Sequence, residues 1–518
     1  MEDQAPRSVQ GTASPMMIIP LFLFLCALTV PGVLRGRSPL AKVHLWGRHL
    51  AAKERQDALL RDSKLIYLEC YRQFKNSLGF RVTTVEDSGE KLIVSAKYLE
   101  ELKKLPPTVL SFEQAHNEST EKRYTNSAPP GFFRVVPHII RADLTPALTR
   151  LNQAMTEKVD EIVLRELGEC TEWTPMNVYG KILRVIAVAS GRVFIGPELC
   201  QDERYIDAAV NYTLELAKAI EEIKSMNRWL KPFMASRLGS IATVRRREND
   251  FLNFISPTVE ARSSAMAIGQ SVPEDMLTWL MEKGASAGIE SVKDLSLIQL
   301  GLTHVASHST GATATNILYD LASRPECIQP LRDEIKETLD EFDGVLTSAA
   351  LQRLRKMDSL MKESLRVHPL LFSTFERRAL QPFTLSDGHV IPQGTIIEIP
   401  NHAISRDPEL YPDPDSFEPW RFYDMSQRPD GADKRASSLH HQFVSVSNEL
   451  GSFGYGRHAC PGRFFAANEL KMILARILLA YDMRMKDGET ERYPNLEFGL
   501  TCVPDSSREL LFRRVVSP

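Results

Sequence analysis

A chain of 518 residues with 43 % apolar and 25 % charged residues can build a large core and, by length alone, about three ordinary domains. Its formal net charge of -3 offers no basic footprint, which excludes a broad nucleic-acid-binding surface. The seven cysteines (Cys26, Cys70, Cys170, Cys200, Cys327, Cys460 and Cys502) are odd in number and scattered, without CxxC or zinc-ligand spacing. They read as thiols of a reducing compartment, where a cysteine with a chemical task is a single ligand or nucleophile.

The first element is Met16 to Leu34, MMIIPLFLFLCALTVPGVL, nineteen residues without a charge. As a helix it would cross a hydrocarbon layer of ~30 Å. It is long for the apolar part of a signal peptide, no small-x-small site follows it and no basic segment precedes it, so it reads as an uncleaved anchor. Arg35, Arg37, Lys42 and Arg48 follow, against Arg7 with Glu2 and Asp3 before it. Basic flanks stay cytosolic, which predicts a lumenal tail over 1–15, a single-pass anchor over 16–34 and a cytosolic domain over 35–518. Pro20 and Pro31 predict a kink or tilt in the anchor. On that topology the sequons at Asn117 and Asn211 carry no sugar.

Past the anchor there is no repeat, low-complexity tract or Gly/Ser linker, so one large catalytic domain is expected. Apolar residues recur at three- and four-residue steps over 148–165, 206–226, 295–321, 331–342, 351–367 and 463–481, which predicts helices. Strand-like pieces, 80–84, 92–94 and 396–399, are too few for a central sheet. The expected fold class is mainly α with a small β portion. From Pro369 to Phe422 the texture turns to Pro, Asp and Gly, with Phe383, Ile391, Ile397, Tyr411, Phe417, Trp420 and Phe422 interleaved. That predicts ordered coil rather than a disordered linker.

Gly451 to Phe465 reads GSFGYGRHACPGRFF. Pro461 suits the first turn of a helix that continues through Phe464, Phe465, Leu470, Ile473 and Leu474, so Cys460 is placed at a helix amino terminus. There the macrodipole and free N–H groups favour a thiolate, a soft ligand that suits iron. Gly454, Gly456 and Gly462 let the backbone approach something large and flat. For an arbitrary cysteine, simple burial would be the first reading. Here Phe453, Gly456, His458, Cys460 and Gly462 fit F-x-x-G-x-[R/H]-x-C-x-G, and the chain resembles the cytochrome P450 family, RHACPGRFFA in particular its fungal membrane-bound branch.

The resemblance extends to further motifs over nearly the whole chain after the anchor. Glu363-Ser-Leu-Arg366 resembles the family's E-x-x-R and implies a buried structural network completed by Arg421. Val305-Ala-Ser-His308-Ser309-Thr310 resembles the oxygen-side A/G-G-x-D/E-T stretch, with His308 at the acid position and Ser309 at the alcohol position. Those three residues are assigned to proton delivery, and hydroxyls inside a helix can loosen its ladder to admit a ligand. The resemblance also implies haem b with Cys460 as axial iron ligand, flanked by Phe453 and Gly454, and propionate contacts from His458, Arg377 and Arg141, although Pro137 stands where W-x-x-x-R has its tryptophan.

The activity implied is insertion of one oxygen atom of O2 into a hydrophobic small molecule, a terpenoid, meroterpenoid or prenylated alkaloid of a secondary-metabolite pathway. The expected pocket comprises Phe132, Phe133, 206–236, 302–306, 371–374 and 500–503. No nucleotide-binding signature is present, so NADPH enters only indirectly, through an NADPH-cytochrome P450 reductase docked on Arg353, Arg355, Lys356, Arg463 and Lys471 at the endoplasmic reticulum membrane, with cytochrome b5 as an alternative second donor. Two rival readings are a haem-thiolate isomerase or dehydratase that takes no electrons, and a non-catalytic haem or lipid binder.

Overall fold

The computed structural model describes residues 39–289, 291–427 and 441–515. The segment read as an anchor lies outside them, and among the described residues no helix is long and apolar enough to cross a membrane.

Ten helices carry the architecture: α1 Ala52–Phe74, α2 Phe112–Ser119, α3 Phe132–Ile139, α4 Thr145–Leu167, α5 Val178–Phe194, α6 Glu203–Ser225, α7 Gly239–Ala267, α8 Val292–Ala322, α9 Arg355–Val367 and α10 Arg463–Ala480. The organising element is α8. Ser291 caps it by accepting the Asp294 N–H at 3.0 Å, and Asp294 adds a negative charge to the first turn. From Thr310 to Ala322 every residue is buried, the mark of a helix enclosed on all sides by α5, α6, α7, α9 and α10. Gly311 makes one of these contacts possible, since a Cβ there would lie 2.6 Å from Leu183 of α5.

One predicted helix divides. The span 351–367 breaks at Leu354 (φ -70, ψ 72) into Ser348–Arg353 and α9. The carboxylate of Glu334, on the separate helix Ile328–Glu341, accepts the Lys356 and Met357 N–H groups (2.7 and 3.0 Å) and so starts α9 afresh.

The β portion exceeds the expectation. Six strands, β1 His44–Leu45, β2 Gly79–Thr83, β3 Glu90–Val94, β4 Leu110–Ser111, β5 Thr374–Ala379 and β6 Ile396–Ile399, form one sheet in the order β1-β2-β3-β6-β5-β4. The hairpin β2-β3 pairs Phe80 with Ile93, and β3 runs parallel to β6 with Lys91 opposite Ile396. Strands two to six residues long, drawn from both ends of the chain, carry too little period-two signal to stand out singly. Part of the span read as coil, 369–422, is therefore strand.

Candidate active site

Two walls connect α8 to the loop of Cys460. One is aromatic. A Cβ at Gly301 of α8 would sit 3.1 Å from Phe132, whose ring meets Phe133 (5.5 Å between centroids), then Phe112 (5.2 Å), then His458 of the cysteine loop (5.5 Å). Opposite, Thr374 Oγ1 donates to the Gly451 carbonyl (3.2 Å) and Asn401 Oδ1 accepts the Gly451 N–H (2.9 Å). Phe372 N–H reaches the Leu500 carbonyl (2.8 Å) and Cys502 N–H the Leu370 carbonyl (3.0 Å), which brings 500–503 beside 371–374. Between the walls Val305 and Leu371 stay 56 % and 53 % exposed, apolar surface of the kind a ligand covers.

The cysteine loop is held by its own backbone. Gly454 and Gly456 adopt left-handed φ of 71° and 70°, and the Cys460 N–H is drawn onto the Phe453 carbonyl at 2.7 Å. Regular helix begins at Arg463 rather than at Pro461, because Pro461 and Gly462 form the turn into it. The first free N–H groups of that helix, of Gly462 and Arg463, favour the Cys460 anion. Burial nevertheless raises the thiol pKa above its ordinary value, and these N–H groups and the Arg463 charge only oppose that shift. The helix terminus alone therefore does not hold a thiolate at neutral pH; a metal cation bound to the sulfur would complete the ionisation.

Beside the loop four basic groups gather. The Arg377 guanidinium stacks on Phe112 (5.1 Å) and Phe375 (4.3 Å), among the described residues donates only to the Glu376 carbonyl, and is lowered by burial to about 10. His458 is lowered to about 4, by burial first and then by Arg377, Arg457 and Arg141. Arg141 donates to the Arg457 carbonyl at 2.9 Å. Among the described residues no carboxylate forms an ion pair with Arg141, Arg377, Arg457 or His458. Three guanidinium cations and a neutral imidazole, with only the Glu376 charge acting on Arg377, fit a dianionic edge, and together with the soft sulfur they match a haem with two propionates. Sequence reading missed Arg457 and Phe112. Arg457 adjoins His458 in RHAC and could have been flagged by that adjacency, whereas Phe112 joins only through the fold.

The three residues assigned to proton delivery part company. Ser309 is exposed, one turn beyond Val305 on the open side, and its hydroxyl donates to the Val305 carbonyl (2.9 Å). Thr313 bonds the Ser309 carbonyl (2.8 Å), and Thr303 and Ser307 bond back likewise, a run of hydroxyls that softens this part of α8. Thr310 is buried on the inner side. His308 points into the helix packing. Its Nε2 meets the Val210 carbonyl of α6 (2.8 Å) and its Nδ1 the Tyr179 hydroxyl of α5 (3.1 Å). A carbonyl only accepts, so Nε2 carries the proton and Nδ1 receives Tyr179 O–H. Burial lowers the His308 pKa, which keeps this neutral tautomer.

Behind the loop Glu363, Arg366 and Arg421 meet as one network. Arg366 grips Glu363 with two donors (2.8 and 2.7 Å), and Arg421 adds a third at 3.2 Å. Of the five basic residues expected on a docking face, Lys471 is buried against Asp358 (2.6 Å), Arg463 is engaged with the Val444 and Cys460 carbonyls, Arg353 pairs with Glu341 (3.1 Å) and Arg355 donates to the Ser426 hydroxyl (3.1 Å).

A mainly helical domain with a cysteine loop on one side of its central helix and an uncompensated cationic edge defines a haem-thiolate site. The sequence profile of cytochrome P450 matches residues 139–510, and the chain belongs to the cytochrome P450 family. It is similar to the cytochrome P450 monooxygenase ATR3 of Stachybotrys chlorohalonatus, 36 % identical over 82 % of this chain and 89 % of that protein. It is likewise similar to the cytochrome P450 monooxygenase paxP of Penicillium paxilli, 34 % identical over 86 % and 84 % of the two chains. Among solved structures, a retinoic acid-bound cyanobacterial CYP120A1 shares the fold with a TM-score of 0.65 at 18 % identity, covering 88 % of this chain and 95 % of that one. The protein is a haem monooxygenase of this family, an oxidoreductase.

Proposed function

We propose that Cys460 is the axial thiolate of haem b, and that the chain inserts one oxygen atom of O2 into a terpenoid, meroterpenoid or prenylated-alkaloid intermediate of a secondary-metabolite pathway. Electrons come from an NADPH-cytochrome P450 reductase, and 16–34 anchors the chain in the endoplasmic reticulum membrane. The observation that carries the reading is Cys460 in its glycine-turned loop just before a helix start, joined by the ring contacts of Phe132, Phe133, Phe112 and His458 to the open face of α8. Bound haem supplies dioxygen activation. The residues present supply the rest: Arg377, Arg457, Arg141 and His458 hold its acidic edge. Phe132, Phe133, Leu302, Val305 and Leu371 exclude water from an apolar substrate.

Ser309 is the hydroxyl on the open side, and its proton can swing from the Val305 carbonyl to an oxygen ligand without breaking the helix. His308 fixes α8 against α5 and α6 and so sets where Ser309 stands. Replacing Ser309 with alanine should lower product formed per NADPH about tenfold or more while O2 uptake continues as peroxide. Unchanged coupling would remove Ser309 from proton delivery.

The membrane-bound protein, reduced and treated with CO, should absorb near ~450 nm, the signature of thiolate ligation, and Cys460→Ser should abolish that band. With reductase, NADPH and 18O2, one labelled atom should enter a terpenoid substrate. A band without oxygen incorporation for any hydrophobic candidate would favour the electron-free isomerase or dehydratase; a band retained in Cys460→Ser would overturn the ligand assignment.

A further inference from the structure

Two histidines of the distal wall take no part in the reading above. His116 on α2 stands between the rings of Phe112 and Phe133, at centroid separations of 5.7 and 5.0 Å, and among the described residues no hydrogen bond reaches its ring nitrogens. His304 on α8 lies one turn before His308. Its Nδ1 is bonded to Thr213 Oγ1 of α6 (2.6 Å), its ring meets Tyr212 edge-on at 5.9 Å, and among the described residues no hydrogen bond reaches its Nε2.

A chain of ring contacts links the two histidines. His116 sits in the aromatic wall one ring away from Phe132, and Phe132 rests on Gly301, one turn before His304. His116 and His308 are close enough that their charge would disfavour protonation of His304. Burial is the larger cause and lowers both His304 and His116 to about 4; Lys122 acts on His116 in the same direction. Both are neutral at physiological pH, and each offers a donor or an acceptor. Neutral imidazoles give no counter-charge, so they suit an uncharged oxygen better than a carboxylate. Both residues are half-buried, so these nitrogens stay open to a ligand that enters beside the wall, and neither side chain supports the fold through them.

We infer that His116 and His304 are specificity-determining residues that hydrogen-bond a hydroxyl or carbonyl oxygen of an otherwise hydrophobic substrate and orient it between the aromatic wall and α8. The substrate class is thereby narrowed to an already oxygenated apolar skeleton, so an earlier hydroxylation, cyclisation or carbonyl-forming reaction must supply it. This inference rests on the haem-thiolate reading.

The test uses holoprotein and 1-alkylimidazoles of six to twelve carbons, each with and without a terminal hydroxyl, titrated by the Soret shift that imidazole ligation produces. At one chain length the hydroxylated ligand should bind about five- to tenfold tighter than its alkyl counterpart, the worth of one neutral hydrogen bond. His116→Phe, which removes no bond of the fold, and His304→Val should each cut that gain below twofold, read within each variant as the ratio of hydroxylated to alkyl ligand, which a general change of the pocket would not alter. No gain at any length in the wild type, or a gain kept in both variants, overturns the inference while the haem reading stands. A holoprotein that gives no Soret shift with any of these ligands overturns both.

Discussion

Arg366→Ala should lower the stability of the holoprotein by ~3–5 kcal/mol, the cost of breaking a buried charged network by removing one partner. The side chain has no solvent exposure, and every donor of its guanidinium is used. Two go to Glu363, and the others reach the carbonyls of Ser405 (3.0 Å), Pro414 (2.7 Å) and Ser416 (2.8 Å). Alanine leaves the fully buried Glu363 with Arg421 and the Glu418 N–H, and strands the Ser405 carbonyl. Lysine should not rescue, since its point charge lacks the planar fork that reaches both carboxylate oxygens. Arg421→Ala should cost less, because Glu363 keeps both Arg366 bonds.

The damage should travel to the site. The short helix Asn401–Ser405 is fixed to Arg366 at Ser405 and to the cysteine loop at Asn401, where Gly451 N–H is bound. Denaturant unfolding and haem content of the purified variant check this. A loss under ~1 kcal/mol with full haem content would mean that the network is no more than a surface-like ion pair.

What could be read in the sequence follows from how local each feature is. The cysteine loop was legible because its turn glycines, its proline and the following helix lie within fifteen residues and report on one another. Glu363 and Arg366 were legible as a pair because three residues on a helix share a face; that they are buried depends on the 412–421 segment folding over them, which no local pattern states. His308 shows the limit. Motif position placed it beside the oxygen site, but its direction was decided by a carbonyl of α6 and a hydroxyl of α5, neither near it in the chain. The break at Leu354 has the same origin, since the group that starts α9 is the Glu334 carboxylate of another helix. Short strands vanish for the opposite reason: each gains its identity only from its partner.

Glu469→Gln should make the protein more stable near neutral pH and flatten its pH dependence. Glu469 lies on α10, nine residues past Cys460, fully buried. One carboxyl oxygen meets the Ser190 hydroxyl at 2.6 Å, and among the described residues the other has no partner and no cation pairs with it, so burial raises its pKa from 4.5 to about 8. The acid is protonated in the folded chain where the unfolded chain has lost its proton. Between about 4.5 and about 8 the folded state therefore binds more protons, and stability from this group falls as pH rises, levelling above the folded value. At pH 7 the penalty is roughly 3 kcal/mol, from 1.36 kcal/mol per unit over the gap between that pH and the unfolded pKa. Glutamine keeps the shape and a hydrogen bond to Ser190 without a proton to lose. Denaturant unfolding of both proteins from about pH 5 to pH 9 should give curves that converge at the acid end and separate above neutrality, with the variant higher. Parallel curves would show that Glu469 is ionised in the folded state. A neutral acid at this place also makes electrostatic sense, because a carboxylate on the helix that begins at the cysteine would add its charge behind the thiolate and oppose the ionisation that burial of Cys460 already resists.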